Sequence, residues 1–200
     1  MSGELVFYHN PRSRAQMVHW LLEELGVPYR TVLLDMQKGE HKTPQFLALN
    51  PMGKLPTIVH DGTVVTETAA IITHLADAFP QAGLAPAVGD ARRGTYLRWL
   101  FFMAGCFEPA VQDALFKRPP PENKGASGYG SYEDTLNALR TMLTPGPYIL
   151  GEKFSAVDVY AGASLNWTSR FGAPGLDAPV FKDYIARVTS RPACQRTTAG

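Results

Sequence analysis

A strand, a helix and a second strand follow one another within residues 5–34, and no other feature of the sequence limits the fold so tightly. Leu5-Val6-Phe7-Tyr8 is an apolar run of strand length. Asn10-Pro11 then supplies a helix start, and Met17, Val18, Leu21, Leu22 and Leu25 recur at helical spacing. Gly26 suits the left-handed residue that closes a helix, and Tyr29 to Leu34 follows Pro28 as a β-rich run. Such a unit crosses over right-handed, which sets its two strands parallel. A polar connecting stretch containing Gln45-Phe46-Leu47 comes next. Beyond it Thr57-Ile58-Val59-His60 and Thr63-Val64-Val65 flank Asp61-Gly62, a strong two-residue hairpin signal. Ala69 to Phe79 reads as a helix ended by Pro80.

The order β-α-β, connection, hairpin, helix is that of a thioredoxin-like domain with a four-stranded sheet, expected over residues 1–80. Residues 81–89 are rich in Gly, Ala and Pro, carry no apolar period and read as a linker. Strand signals then stop, so residues 90–200 are expected to form an all-helical bundle domain, and the fold class is α/β plus all-α. Asp90 is placed to cap a long helix through Leu97, Leu100, Phe101, Ala104 and Phe107, with a bend near Gly105 or Glu108-Pro109. Lys117 to Gly130 is a proline- and glycine-rich loop, and helices follow at about Tyr132–Leu143, Ser155–Phe171 and Val180–Thr189.

Nineteen basic and eighteen acidic residues leave a net charge of +1, so no overall field favours nucleic acid or an anionic membrane as partner. No apolar run reaches membrane-spanning length, and Met1-Ser2-Gly3-Glu4 lacks the basic and apolar regions of a signal peptide. The expected address is the cytoplasm. Cys106 and Cys194 have neither CxxC nor metal-ligand spacing, which argues against a disulfide framework and against a metal.

Three short segments are the most informative, the first two for chemistry and the third for structure. Asn50-Pro51-Met52-Gly53-Lys54-Leu55-Pro56-Thr57 is turn-rich and leads into a strand, and spacing leaves open whether Leu55-Pro56 is a cis bond or an ordinary trans proline at a strand start. Thr66-Glu67-Thr68-Ala69 opens a helix whose first-turn N–H groups can hold a carboxylate. Glu67 beside them can meet an ammonium group or simply complement the helix dipole. Gly151-Glu152-Lys153-Phe154-Ser155-Ala156-Val157-Asp158 carries a capping-box spacing at Ser155 and Asp158, with Phe154 as a hydrophobic staple.

Taken in order, Tyr8, Ser13, Lys54-Leu55-Pro56, Glu67-Thr68, the linker and the helical domain resemble a cytosolic glutathione S-transferase of the theta- or beta-like bacterial type, over essentially the whole chain. The resemblance implies a cytoplasmic, homodimeric detoxification transferase. Glutathione is its co-substrate and a small hydrophobic electrophile its second substrate, with no metal, nucleic acid or membrane as partner. By match, Leu55 precedes a cis Pro56 and pairs its backbone with the cysteinyl part of glutathione, while Glu67 and Thr68 hold the γ-glutamyl end. His41, nine residues before Asn50, resembles a histidine that contacts the glycine carboxylate, with Lys54 placed to help; a solvated loop histidine is the alternative.

A thiol with a pKa of about 8.5 is mostly protonated at neutral pH, so the reaction needs a donor that stabilises the thiolate. Ser13 falls five residues after Tyr8, where theta-like members carry their catalytic serine. Counting from the helix instead leaves Asn10 and Arg12 open, and Tyr8 stands where other classes use a tyrosine. Tyr96, Trp99, Phe102, Met103 and Phe107 form the pool for an electrophile pocket, and helical spacing does not separate pocket from core.

Overall fold

The computed structural model describes residues 3–119 and 122–198. Residues 3–82 together with 193–198 form one compact unit, and residues 83–192 form another.

In the first unit β1 (Leu5–His9), α1 (Ala15–Leu25) and β2 (Arg30–Leu33) build the parallel crossover, and β3 (Thr57–His60) and β4 (Thr63–Thr66) add an antiparallel hairpin. The sheet order is β2-β1-β3-β4. Because β1 is central it is covered on both faces: Leu5, Val6, Phe7 and His9 are all buried. Met17, Val18, Trp20, Leu21, Leu22 and Leu25 bury the inner face of α1. Gly26 closes that helix at φ 64°, its N–H reaching Leu22 O at 3.1 Å, as its position suggested. Asp61 (φ 50°) and Gly62 (φ 77°) both take the left-handed conformation that a two-residue hairpin turn needs. Helix α3 (Thr68–Ala78) packs Ile71, Ile72 and Leu75 inward and stops before Pro80.

Between β2 and β3 the chain also forms a short helix, α2 (Pro44–Leu49). It begins at Thr43, whose hydroxyl accepts the Phe46 N–H, with Pro44 in its first turn. Six residues are too few for a readable period, so periodicity gave no sign of it.

The second unit holds α4 (Arg93–Phe102), α5 (Glu108–Leu115), α6 (Tyr132–Met142), α7 (Ala156–Arg170) and α8 (Pro179–Thr189). Asp90 does not cap α4 directly: its carboxylate takes the N–H and guanidinium of Arg92, and the helix starts three residues later. A π-helical stretch, Met103–Phe107, joins α4 to α5, with the Glu108 N–H bonded to Met103 O. Pro109 lacks an N–H, and in a regular α-helix its ring would meet the carbonyl four residues back, that of Gly105; a widened turn relieves that conflict.

Two segments pack differently from the expected division at 81–89. Leu84 is buried and its carbonyl accepts the Ala156 N–H at 2.8 Å, so residues 83–89 belong to the helical unit. The closing helix α9 (Pro192–Thr198) places residues 193–198 in the first unit: Arg196 Nε donates to Glu23 Oε2 at 2.7 Å, and Ala193, Cys194 and Thr197 are buried. A pair separated by 173 positions has no local signature. Among the described residues no helix is long and apolar enough to cross a membrane.

Candidate functional site

The turn after β1 is built around Asn10. Its Nδ2 donates to Leu34 O at 2.8 Å and its Oδ1 accepts the Arg12 N–H at 2.9 Å. Its carbonyl accepts both the N–H (3.1 Å) and the hydroxyl (2.8 Å) of Ser13. Ser13 Oγ in turn accepts the Ala15 N–H at 3.2 Å, the first N–H of α1. The half-buried hydroxyl is thus held at a helix N-terminus and polarised by a helix donor, and its single hydrogen is donated to Asn10 O. Asn10 spends its amide on bracing this turn. Tyr8 packs its ring on Phe46 (centroids 5.5 Å apart), and among the described residues its hydroxyl makes no hydrogen bond. Arg12 is exposed beside Ser13.

Asn50 organises the second segment. Although nearly fully buried, it donates to Lys54 O (2.9 Å) and Thr57 Oγ1 (3.1 Å) and accepts the Met52 N–H (3.1 Å). The turn it closes passes through Gly53 at φ 58°, where an added Cβ would stand 2.7 Å from His41 O and from Lys42 Nζ. Gly53→Ala is therefore expected to cost about 1–3 kcal/mol in urea denaturation and to displace the 40–42 and 50–54 segments together; unchanged stability would contradict that packing. Leu55-Pro56 is a cis peptide bond. Among the described residues neither the N–H nor the C=O of Leu55 has a hydrogen-bond partner. His41 lies in a 3-10 turn, Glu40–Lys42, and among the described residues its buried Nδ1 has no partner; Lys54 is exposed.

At the start of α3, Glu67 takes φ 66° and ψ 122°, a conformation that costs a non-glycine residue of order 1–3 kcal/mol. Its side chain does not cap the helix, and among the described residues the N–H groups of Thr68, Ala69 and Ala70 have no partner. The first unit thus offers a hydroxyl at one helix N-terminus, free N–H groups and a carboxylate at another, and an unpaired peptide at Leu55.

Sequence reasoning did not find His9. It is buried against Phe7 and His19 (ring centroids 5.0 and 5.1 Å), its Nδ1 has no partner among the described residues, and burial followed by repulsion from His19 lowers its pKa to about 4. An unfolded histidine protonates near 6.5, so stability is complete above that pH and is lost as pH falls from 6.5 toward 4. The expected loss between pH 7 and pH 4.5 is about 2–3 kcal/mol, read from urea midpoints. His9→Phe should flatten the dependence, and an equally steep profile in that variant would contradict this assignment.

In the helical unit Tyr96, Trp99, Met103 and Phe107 are buried, and Phe102 is partly exposed with its ring edge-on to Trp99 at 5.3 Å. Cys106 lies in the π-helical stretch, 3.7 Å from Gly128 O, with its thiol pKa raised by burial. Among the described residues no group of three or more His, Cys, Asp and Glu is arranged to hold a metal ion.

Two family models match this chain: "Glutathione S-transferase, N-terminal domain" over residues 12–78 and "Glutathione S-transferase, C-terminal domain" over residues 108–187. The chain is 27% identical to Glutathione S-transferase GstA of Escherichia coli O157:H7, over 94% of each protein. It is 29% identical to Transcriptional regulator URE2 of Saccharomyces cerevisiae over 70% of this chain, and it spans 41% of that protein's length. A sphingomonad glutathione S-transferase solved in complex with glutathione is 30% identical, covers 96% of both chains and superposes with a TM-score of 0.77. Models of both domains match, together over more than half of the chain, and the protein belongs to the glutathione S-transferase family.

Proposed function

We propose that the protein is a glutathione transferase that converts bound glutathione to its thiolate and directs it at a hydrophobic electrophile, with reduction of organic peroxides as a related activity of the same thiolate. The observation that carries this reading is the Ser13 hydroxyl, polarised by the Ala15 N–H and, among the described residues, donating only to a backbone carbonyl that it can exchange for sulfur. The γ-glutamyl carboxylate meets the free N–H groups of Thr68, Ala69 and Ala70, with Glu67 facing the α-ammonium. The cysteinyl peptide pairs with the N–H and C=O of Leu55 ahead of Pro56, in the manner of an added strand. His41 and Lys54 serve the glycine carboxylate. Ser13 then holds the sulfur; lowering its pKa by two units requires about 2.7 kcal/mol, within reach of one charge-assisted hydrogen bond and a helix end. Proximity of the thiolate to an electrophilic carbon supplies much of the remaining rate. The same reading carries a homodimer working in the cytoplasm.

Calorimetric titration with glutathione, followed by turnover of a panel of aryl halides, epoxides and hydroperoxides, tests it. Binding with turnover supports the transferase, and absence of binding overturns it. A second reading, a glutathione-binding partner protein without turnover, draws on the likeness to Transcriptional regulator URE2; binding with no turnover across the panel selects it.

A further inference from the structure

Arg12 differs from every polar neighbour in the turn it shares with Ser13. Its backbone N–H is fixed on Asn10 Oδ1 at 2.9 Å, yet among the described residues its guanidinium makes neither a hydrogen bond nor an ion pair. The charges on the adjoining loops are already engaged. Lys42 Nζ donates to Met52 O at 2.9 Å, and Lys38 pairs with Asp35 at 3.5 Å. The nearby carboxylates are spent on backbone: Asp35 Oδ1 accepts the N–H groups of Gln37 and Lys38, and Glu40 Oε2 accepts the Asp35 N–H at 2.7 Å. Beside the Ser13 hydroxyl this leaves an exposed guanidinium on an anchored backbone, one residue from the group proposed to hold sulfur, while Lys54, also exposed, is taken up by the glycine carboxylate in the proposed reading.

Resting on the transferase reading, we infer that Arg12 is a specificity-determining residue that selects electrophiles carrying an anionic group, such as a carboxylate, on the ring that holds the reacting carbon. In the test reaction the thiolate sulfur forms a C–S bond at the chlorine-bearing ring carbon. The ring takes up the electron pair, and chloride then leaves with the pair of the broken C–Cl bond. The proton of the glutathione thiol has already gone to solvent. An exposed guanidinium facing a substrate carboxylate is worth up to about 1 kcal/mol, or about fivefold, and it weakens with salt.

The probes are 4-chloro-3-nitrobenzoate and 4-chloro-3-nitrobenzamide, alike in size and differing in charge, each rate being divided by that of free glutathione at the same pH. The native protein is expected to prefer the benzoate by about fivefold in kcat/KM, and Arg12→Gln or 0.5 M salt to bring that preference close to one. An unchanged ratio in Arg12→Gln overturns the inference. So does an equal loss for both substrates, which would make Arg12 a thiolate partner, or a rise confined to the KM for glutathione. Binding of the two glutathione conjugates, measured by calorimetry, separates this inference from the one beneath it. Preference for the carboxylate conjugate, lost in Arg12→Gln, supports the role of Arg12 even in a protein that turns neither substrate over. Equal binding of both conjugates overturns that role while leaving a working transferase intact.

Discussion

Asp158→Ala is expected to lower stability by about 3–5 kcal/mol, close to the whole reserve of a marginal domain, and to shift the urea midpoint of the helical unit accordingly. The carboxylate is completely buried at the start of α7 and accepts four donors: Ile149 N–H at 2.8 Å and Tyr184 OH at 2.9 Å on Oδ1, and the N–H and hydroxyl of Ser155, both at 2.9 Å, on Oδ2. Burial pushes its pKa up, and the four donors offset part of that rise. Truncation strands all four donors in a dry interior and leaves a cavity as well. Asp158→Asn keeps one carbonyl oxygen and should fall between the two, while Tyr184→Phe, which removes a single donor, should cost about 1 kcal/mol. A midpoint for Asp158→Ala within experimental error of the native one would refute this account of how the helical unit is held together.

Ser13→Ala is expected to reduce kcat/KM by about tenfold to hundredfold, the worth of one hydrogen bond to a charged sulfur, with little loss of stability. The folding cost is small because Asn10 keeps the turn closed through Leu34 O and the Arg12 N–H when the hydroxyl is gone. Asn10→Ala should behave differently. It opens the turn, so it lowers stability and activity together. Steady-state kinetics on both variants, each with a denaturation curve, distinguishes a residue that touches sulfur from one that braces it. Full activity in Ser13→Ala would remove the serine from the mechanism.

Much of the scaffold was legible because its signals are local. Asp61-Gly62 specifies its turn through the backbone freedom of two adjacent residues, Gly26 through one, and Ser155 with Asp158 through a fixed spacing of three. What the sequence concealed is non-local or lacks a period. Ile149 and Tyr184 converge on Asp158 from 9 and 26 positions away, and Arg196 finds Glu23 across 173. Helix α2 is too short to show amphipathicity. In the candidate site the sequence singled out Ser13, Leu55, Glu67 and Thr68 as candidates, but not the division of labour around Asn10. Only the hydrogen bonds reveal that its amide is committed to Leu34 and Arg12. Likewise nothing in a lone Asn50 announces that its side chain closes the turn carrying Gly53 and Lys54.

Whether Ser13 stabilises the thiolate of bound glutathione is read from ultraviolet titration of the thiol in the glutathione complex, on the native chain beside Ser13→Ala. A bound-thiol pKa well below the ordinary value of about 8.5 is expected in the native protein, with a return toward that value in Ser13→Ala. A bound thiol that titrates near 8.5 in both proteins would contradict it.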